Sequence, residues 1–183
     1  MLKWKRASAA GAITLVALGS SVAAFAESKA SIDVNVHDSL HTFYAKNPTN
    51  KELALRSAGM LVFPRITKGG AGIAGEYGEG VLRVHGKTVD YYSIGGGSVG
   101  LTLGVAQRSE IIMFMSQEAL DKFIQEKGWV IGADAGIAVV SKGAGGDYDS
   151  KTLQKPILGF VFNEKGLIGD LSLDGSKISY IDK

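Results

Sequence analysis

The chain has 183 residues, 25 of them glycine and none cysteine, and a formal charge of +2. Length and apolar content suit one domain of ordinary size, and the missing cysteine means that it holds together by its core alone, without disulfides. The small basic excess offers nothing in favour of nucleic-acid binding, because it sits in the chain start.

That start reads as an address label. Lys3, Lys5 and Arg6 form a positive region, an apolar run from Ala7 to Leu18 follows, and Ala24-Phe25-Ala26 stands as a cleavage site before Glu27. Gly19-Ser20-Ser21 interrupts a run that would need roughly 20 apolar residues to span a bilayer. We expect a signal peptide over residues 1–26 and a single exported domain over 27–183, periplasmic if the source is a diderm bacterium and otherwise secreted. With no cysteine after the cleavage site, a lipoprotein anchor is excluded. Losing Lys3, Lys5 and Arg6 leaves 17 basic residues against 18 acidic ones, a net charge of −1.

Ile32, Val36, Leu40 and Phe43 form one stripe, which predicts a helix over Ser28–Lys46 ended by Asn47-Pro48. Asp33, His37 and His41 follow at four-residue spacing beside it, a row that suits a metal ion but is better explained as the wet shoulder of an amphipathic helix. Thr49 or Asn50 caps a second short helix through Ser57. Met60–Phe63, closed by Pro64, reads as a buried strand. Strands are then expected near Ala71–Tyr77, Gly80–His85, Thr88–Ile94, Ser98–Ala106 and Ile111–Met115, with Gly86-Lys87 as a hairpin turn. Ser116 caps a third helix with an apolar face of Ala119, Leu120, Phe123 and Ile124, ended by Gly128. Strands at Trp129–Val140, Ile157–Phe162, Leu167–Leu173 and Lys177–Ile181 complete the set, the last two joined across Asp174-Gly175. Lys142–Lys155 is the most loop-like stretch. So many glycines inside strands predict tight bends, strong coiling or backbone lying against backbone. The expected architecture is α+β: a strongly curved, glycine-rich antiparallel sheet or small barrel-like sheet with about three covering helices.

Three enzymatic motifs fail on context. Gly70-Ala71-Gly72-Ile73-Ala74-Gly75 fits G-x-G-x-x-G, yet no helical stripe follows to hold a pyrophosphate. Gly96-Gly97-Ser98-Val99-Gly100 fits G-x-S-x-G, but the residues after it alternate with period two, and His37, His41 and His85 all precede Ser98. Asp147-Tyr148-Asp149 lacks the glycine and terminal glutamate of a calcium loop.

Taken in order, the phrases Ala58-Gly59-Met60-Leu61-Val62-Phe63-Pro64, Gly72-Ile73-Ala74-Gly75-Glu76-Tyr77-Gly78-Glu79-Gly80-Val81-Leu82 and Tyr92-Ser93-Ile94-Gly95-Gly96-Gly97-Ser98-Val99-Gly100 resemble the SYLF domain family of lipid-binding proteins. Phe114-Met115, Ala119-Leu120 with Phe123, Trp129 with Gly132-Ala133-Asp134-Ala135, Gly166-Leu167 and Leu171-Ser172-Leu173-Asp174-Gly175 extend the likeness over essentially the whole mature chain. It departs at Thr102, where the family pattern has glutamine. The resemblance implies a β-rich domain with a few helices, no catalytic activity, no cofactor, and association with acidic phospholipids. The actin-related roles of eukaryotic members are not carried over to an exported chain, and only Ser28–Lys46 stands where the family has a membrane-inserting segment.

The residues agree with that expectation. Arg65, Lys68, Arg83 and Lys87 lie on or beside glycine-rich turns, where bare amides and cations suit phosphate headgroups, each cation contributing about 1 kcal/mol near an anionic surface. They are the candidate lipid-binding residues; catalytic and metal residues are expected to be none. The expected partner is a phospholipid or membrane surface rather than nucleic acid. The alternative is an envelope interaction domain whose glycine-rich sheet receives a protein partner by strand addition.

Overall fold

The computed structural model describes residues 26–132, 136–142, 148–165 and 175–183, so the expected signal peptide lies, but for Ala26, outside the described residues. Helix α1 (Lys29–Lys46) starts where Ser28 caps it, its Oγ accepting from the Ser31 N–H at 3.2 Å. It buries the predicted stripe of Ile32, Val36, Leu40 and Phe43. Asn47 ends α1 and at the same time caps α2 (Pro48–Arg56), accepting from the Thr49 N–H at 3.0 Å. The second helix thus begins earlier than a cap at Thr49 or Asn50 would put it. Pro48 is the reason: its φ is already helical and the N–H it lacks is one the first turn leaves unpaired anyway.

From Gly59 the chain forms one hairpin of two very long strands, β1 (Gly59–Val84) and β2 (Lys87–Phe114). The six shorter strands expected there are fused into these two, because their glycines bend the ribbon without turning it back. Register shifts between Phe63 and Ile66 and between Ala71 and Ile73 mark the bends. The first contains Pro64, which has no ladder donor and is tolerated at a bulge. The turn is His85-Gly86, with φ of 50° and 77°, one residue before the expected Gly86-Lys87. Positive φ at both positions matches the twist of the flanking strands.

The hairpin curls until β1 meets itself. A Cβ added to Gly78 would stand 2.6 Å from the Arg65 carbonyl oxygen, and one added to Gly80 would overlap the Val62 carbonyl. Bare backbone is required where the two halves of the strand touch.

β2 is the spine of the sheet. Its first half, Tyr91–Gly95, pairs with β6 (Lys177–Ile181), and its second half, Gln107–Phe114, pairs with β5 (Ile157–Lys165). Beyond them lie β3 (Gly128–Val130) against β6 and β4 (Ala138–Lys142) against β5. β4 runs parallel to β5, so the expected antiparallel sheet is mixed at this edge. The 143–156 stretch is long enough for the crossover that parallel neighbours need. Its residues 143–147, the 133–135 middle of the expected Trp129–Val140 strand, and the expected Leu167–Leu173 strand lie outside the described residues. Helix α3 (Gln117–Glu126) is capped by Ser116 as expected, but Lys127 ends it in the left-handed region and Gly128 already belongs to β3.

Alternation along the strands sends side chains into two cores. Leu61, Phe63, Ile112, Phe114 and Ile178 pack with Leu120 and Phe123 of α3 and with Trp129. Met60, Val62, Ile111, Met113 and Phe160 pack under Ile32, Val36, Leu40 and Phe43 of α1 and Leu53 of α2. Phe43 meets Phe160 edge-on, with ring centroids 5.1 Å apart. The result is an α+β domain, a strongly curved sheet covered by α1 and α2 on one face and by α3 on the other.

Gly80→Ala is expected to destabilise by about 3 kcal/mol, since the methyl group meets backbone that cannot move aside. Gly75→Ala, where an added Cβ meets nothing within 4 Å, is expected to be neutral or to stabilise by about 0.5 kcal/mol. Urea unfolding of the two variants checks the contrast.

Candidate functional site

The curl sorts the charged residues into three groups. The first lies at the hairpin turn, where residues of α2 and the start of β1 line a common cavity. Tyr44, Lys51, Leu55, Met60, Arg83 and His85 line a cavity of about 370 Å³ there. Arg83 folds over the turn and donates to the Gly86 carbonyl, while its Nε is buried with no hydrogen-bond partner among the described residues. Burial pushes the Tyr44 hydroxyl above its usual range, and the neighbouring Arg83 charge works against that rise. Leu55 is 79% exposed on the rim, and Lys87 is exposed just past the turn. The described residues lining this cavity include no carboxylate.

The second group has the opposite sign. Glu27, Arg65, Thr67, Glu76, Tyr77 and Glu79 are among the residues around a cavity of about 450 Å³. Glu79 is only 8% exposed; it accepts from the Tyr77 hydroxyl at 2.9 Å, Lys183 Nζ at 2.6 Å and the Glu27 N–H at 3.1 Å. Burial and the carboxylate of Glu79 together push the Tyr77 phenol up to about 12, so it remains a donor. Arg65 stands 3.7 Å from the Glu27 carboxylate.

The third group lies inside the curl. Arg108 and Glu110 stand two residues apart on β2, so they share a face. Arg108 donates to Glu76 at 2.9 Å and lies 3.7 Å from Glu110, while the Ser176 hydroxyl donates to Glu76 at 2.6 Å. Burial acts to raise the Glu76 carboxyl, but hydrogen bonds from Arg108 and Ser176 outweigh it and hold the group below its usual range. Glu110 is fully buried, and neither of its oxygens has a hydrogen-bond partner among the described residues. Burial lifts its carboxyl to about 7, against the pull of Arg108 and with a push from Glu76.

The four cations singled out from sequence therefore separate into two pairs. Arg83 lines the cavity at the turn together with Lys51 and His85, which sequence spacing did not bring into view, and Lys87 stands exposed beside that turn. Arg65 faces Glu27, and the charge of Lys68 acts on Glu76. Of the helical row beside the α1 stripe, Asp33 accepts from the Tyr91 hydroxyl at 3.0 Å and His37 lies against Asp38. Among the described residues no three His, Cys, Asp or Glu side chains converge as metal ligands. The G-x-G-x-x-G phrase is part of β1 and the G-x-S-x-G phrase part of β2, and neither opens a helix. Asp147 lies outside the described residues, and Asp149 accepts from the N–H and hydroxyl of Thr152, at the start of the short turn Thr152–Gln154.

These features define a curved α+β domain with, among the described residues, a cationic cleft, an acidic cleft and a buried charge cluster between its halves. Residues 95–182 match the model of the Ysc84 family, described as "Las17-binding protein actin regulator". The match covers 88 of the 183 residues and is consistent with a SYLF domain protein, a family of lipid-binding and actin-regulator type. No curated protein matches the chain.

Glu110 makes stability depend on pH. The folded state holds its proton up to about 7, while the unfolded chain releases it near the ordinary value of 4.5. Between those values the unfolded state binds fewer protons, so stability falls as pH rises, by up to about 3 kcal/mol in all. Glu76 acts in the opposite sense and at lower pH, losing its contribution as it protonates. Urea unfolding between pH 4.5 and 7.5 is expected to show the fall, and Glu110→Gln to flatten it.

Proposed function

We propose that this chain is an exported, non-enzymatic SYLF domain that associates with acidic phospholipids through the cavity at the hairpin turn. One observation carries the proposal. Lys51, Arg83 and His85 converge there without a carboxylate among the described lining residues, and the buried Arg83 Nε–H lacks an acceptor among the described residues. A phosphate oxygen supplies the acceptor, and the guanidinium is the cation best shaped to bind it. Leu55 on the rim and Lys87 beside the turn are arranged as an interfacial contact is, with apolar surface toward acyl chains and charge toward headgroups. Arg65 and Lys68, facing carboxylates, contribute less. The reading includes no reaction.

The test is flotation of the mature chain with anionic and zwitterionic vesicles. Binding to the anionic set is expected, weakened about 30-fold by Lys51→Ala with Lys87→Ala, each cation being worth about 1 kcal/mol. Arg65→Ala with Lys68→Ala is expected to change it less than about threefold. A chain that stays unbound in both sets overturns the proposal. Capture of a polypeptide with indifference to lipid would favour strand addition instead, at β3 or β4, which stand at the two ends of the sheet among the described residues.

A further inference from the structure

The acidic cleft is built around a nitrogen that changes its chemistry when the leader is removed. Glu79 is almost fully buried, and its Oε2 accepts from the backbone nitrogen of Glu27 at 3.1 Å as well as from Lys183 Nζ at 2.6 Å. Lys183 Nζ also donates to the Glu27 carbonyl, so the backbone of this one residue is held from both sides. The Glu27 side chain is held as well: Arg65 lies 3.7 Å from Oε1, while Asn35 and Ser31 donate to Oε2 at 3.1 and 3.3 Å. Glu27 is also the residue that follows Ala24-Phe25-Ala26. In the uncleaved chain its nitrogen is an amide with one proton and no charge.

We infer that the slot around Glu79 is a receptor for the α-ammonium group that cleavage after Ala26 sets free. Water adds across the Ala26–Glu27 amide, leaving a carboxylate on Ala26 and an amine on Glu27 that takes up a proton at neutral pH. The nitrogen then carries three donors and a full positive charge within hydrogen-bond reach of a buried carboxylate, a stronger contact than the amide makes. α1 is thereby pinned to β1 more firmly after processing than by the amide contact alone, and the unprocessed chain is the looser one. This inference rests on the export part of the proposed function and is independent of its lipid part.

The experiment compares the exported, processed protein, its N-terminus read by mass spectrometry, with the same preparation acetylated selectively at the α-amine. A product beginning at Glu27 is expected, with acetylation lowering Tm by about 3–6 °C. The amine is expected to titrate above the ordinary α-amino range of about 7.7–8.0. In Glu79→Gln the two forms are expected to melt together. If that variant does not fold, titration of the amine in the unaltered protein decides. A protein that is not exported, or that begins elsewhere, overturns export as stated and the slot with it. A product that begins at Glu27, melts alike with and without acetylation and titrates its amine normally overturns the slot alone.

Discussion

The contact on which this architecture depends is the one that β1 makes with itself. Gly78 and Gly80 lie against the backbone at Arg65 and Val62, closer than any side chain allows. A strand of 26 residues folded flat would expose a long edge and leave its apolar faces without partners. Curled this way, its first and second halves close over Leu61, Phe63 and Leu82, and the strands that follow have only to complete the enclosure. The cost is a stretch almost without side chains, which contributes little burial of its own and is held by what surrounds it.

That curl also decides where charges go. Positions that lie far apart along β1 come to opposite clefts, so cations that look equivalent in sequence meet different fields. At the turn, α2 supplies Lys51 and Leu55 to a cavity to which the hairpin supplies Arg83 and His85. Nearer the bend, Glu76 and Glu79 hold the basic groups beside them. Between the halves, Arg108 with Glu76 and Glu110 forms a buried triad with one more carboxyl than cation. Burial is the chief cause of the raised Glu110 pKa, and its protonated form also relieves the excess charge beside Glu76.

Much of this was legible in the chain. The three helices, the cap at Ser116, the strand from Ile157 and the strand from Lys177 follow from periodicity and turn chemistry. The fusion of short strands into β1 and β2 was not, because a glycine that ends a strand and one that bends it look alike without the backbone that it touches. The parallel pairing of β4 depends on which strand lies beside it, and local pattern carries no such information. Lys51 was hidden because it stands on a helix whose neighbour is set by the fold. Arg108 and Glu110 did leave a signal, opposite charges two apart at the head of the apolar run Ile111-Ile112, where both must point into a buried face.

The register of the long hairpin implies an order of assembly. Val84 and Lys87 sit across the His85-Gly86 turn, whereas Gly59 and Phe114 meet only after everything between them has paired. Closure at the turn encloses two residues and is entropically cheap, and each later rung adds to a ladder already formed. The self-contact of β1 cannot exist until the zipper has passed Gly78 and reached Val62. Loss of one early rung should therefore slow the whole process, while loss of the late glycine contact should chiefly hasten unfolding.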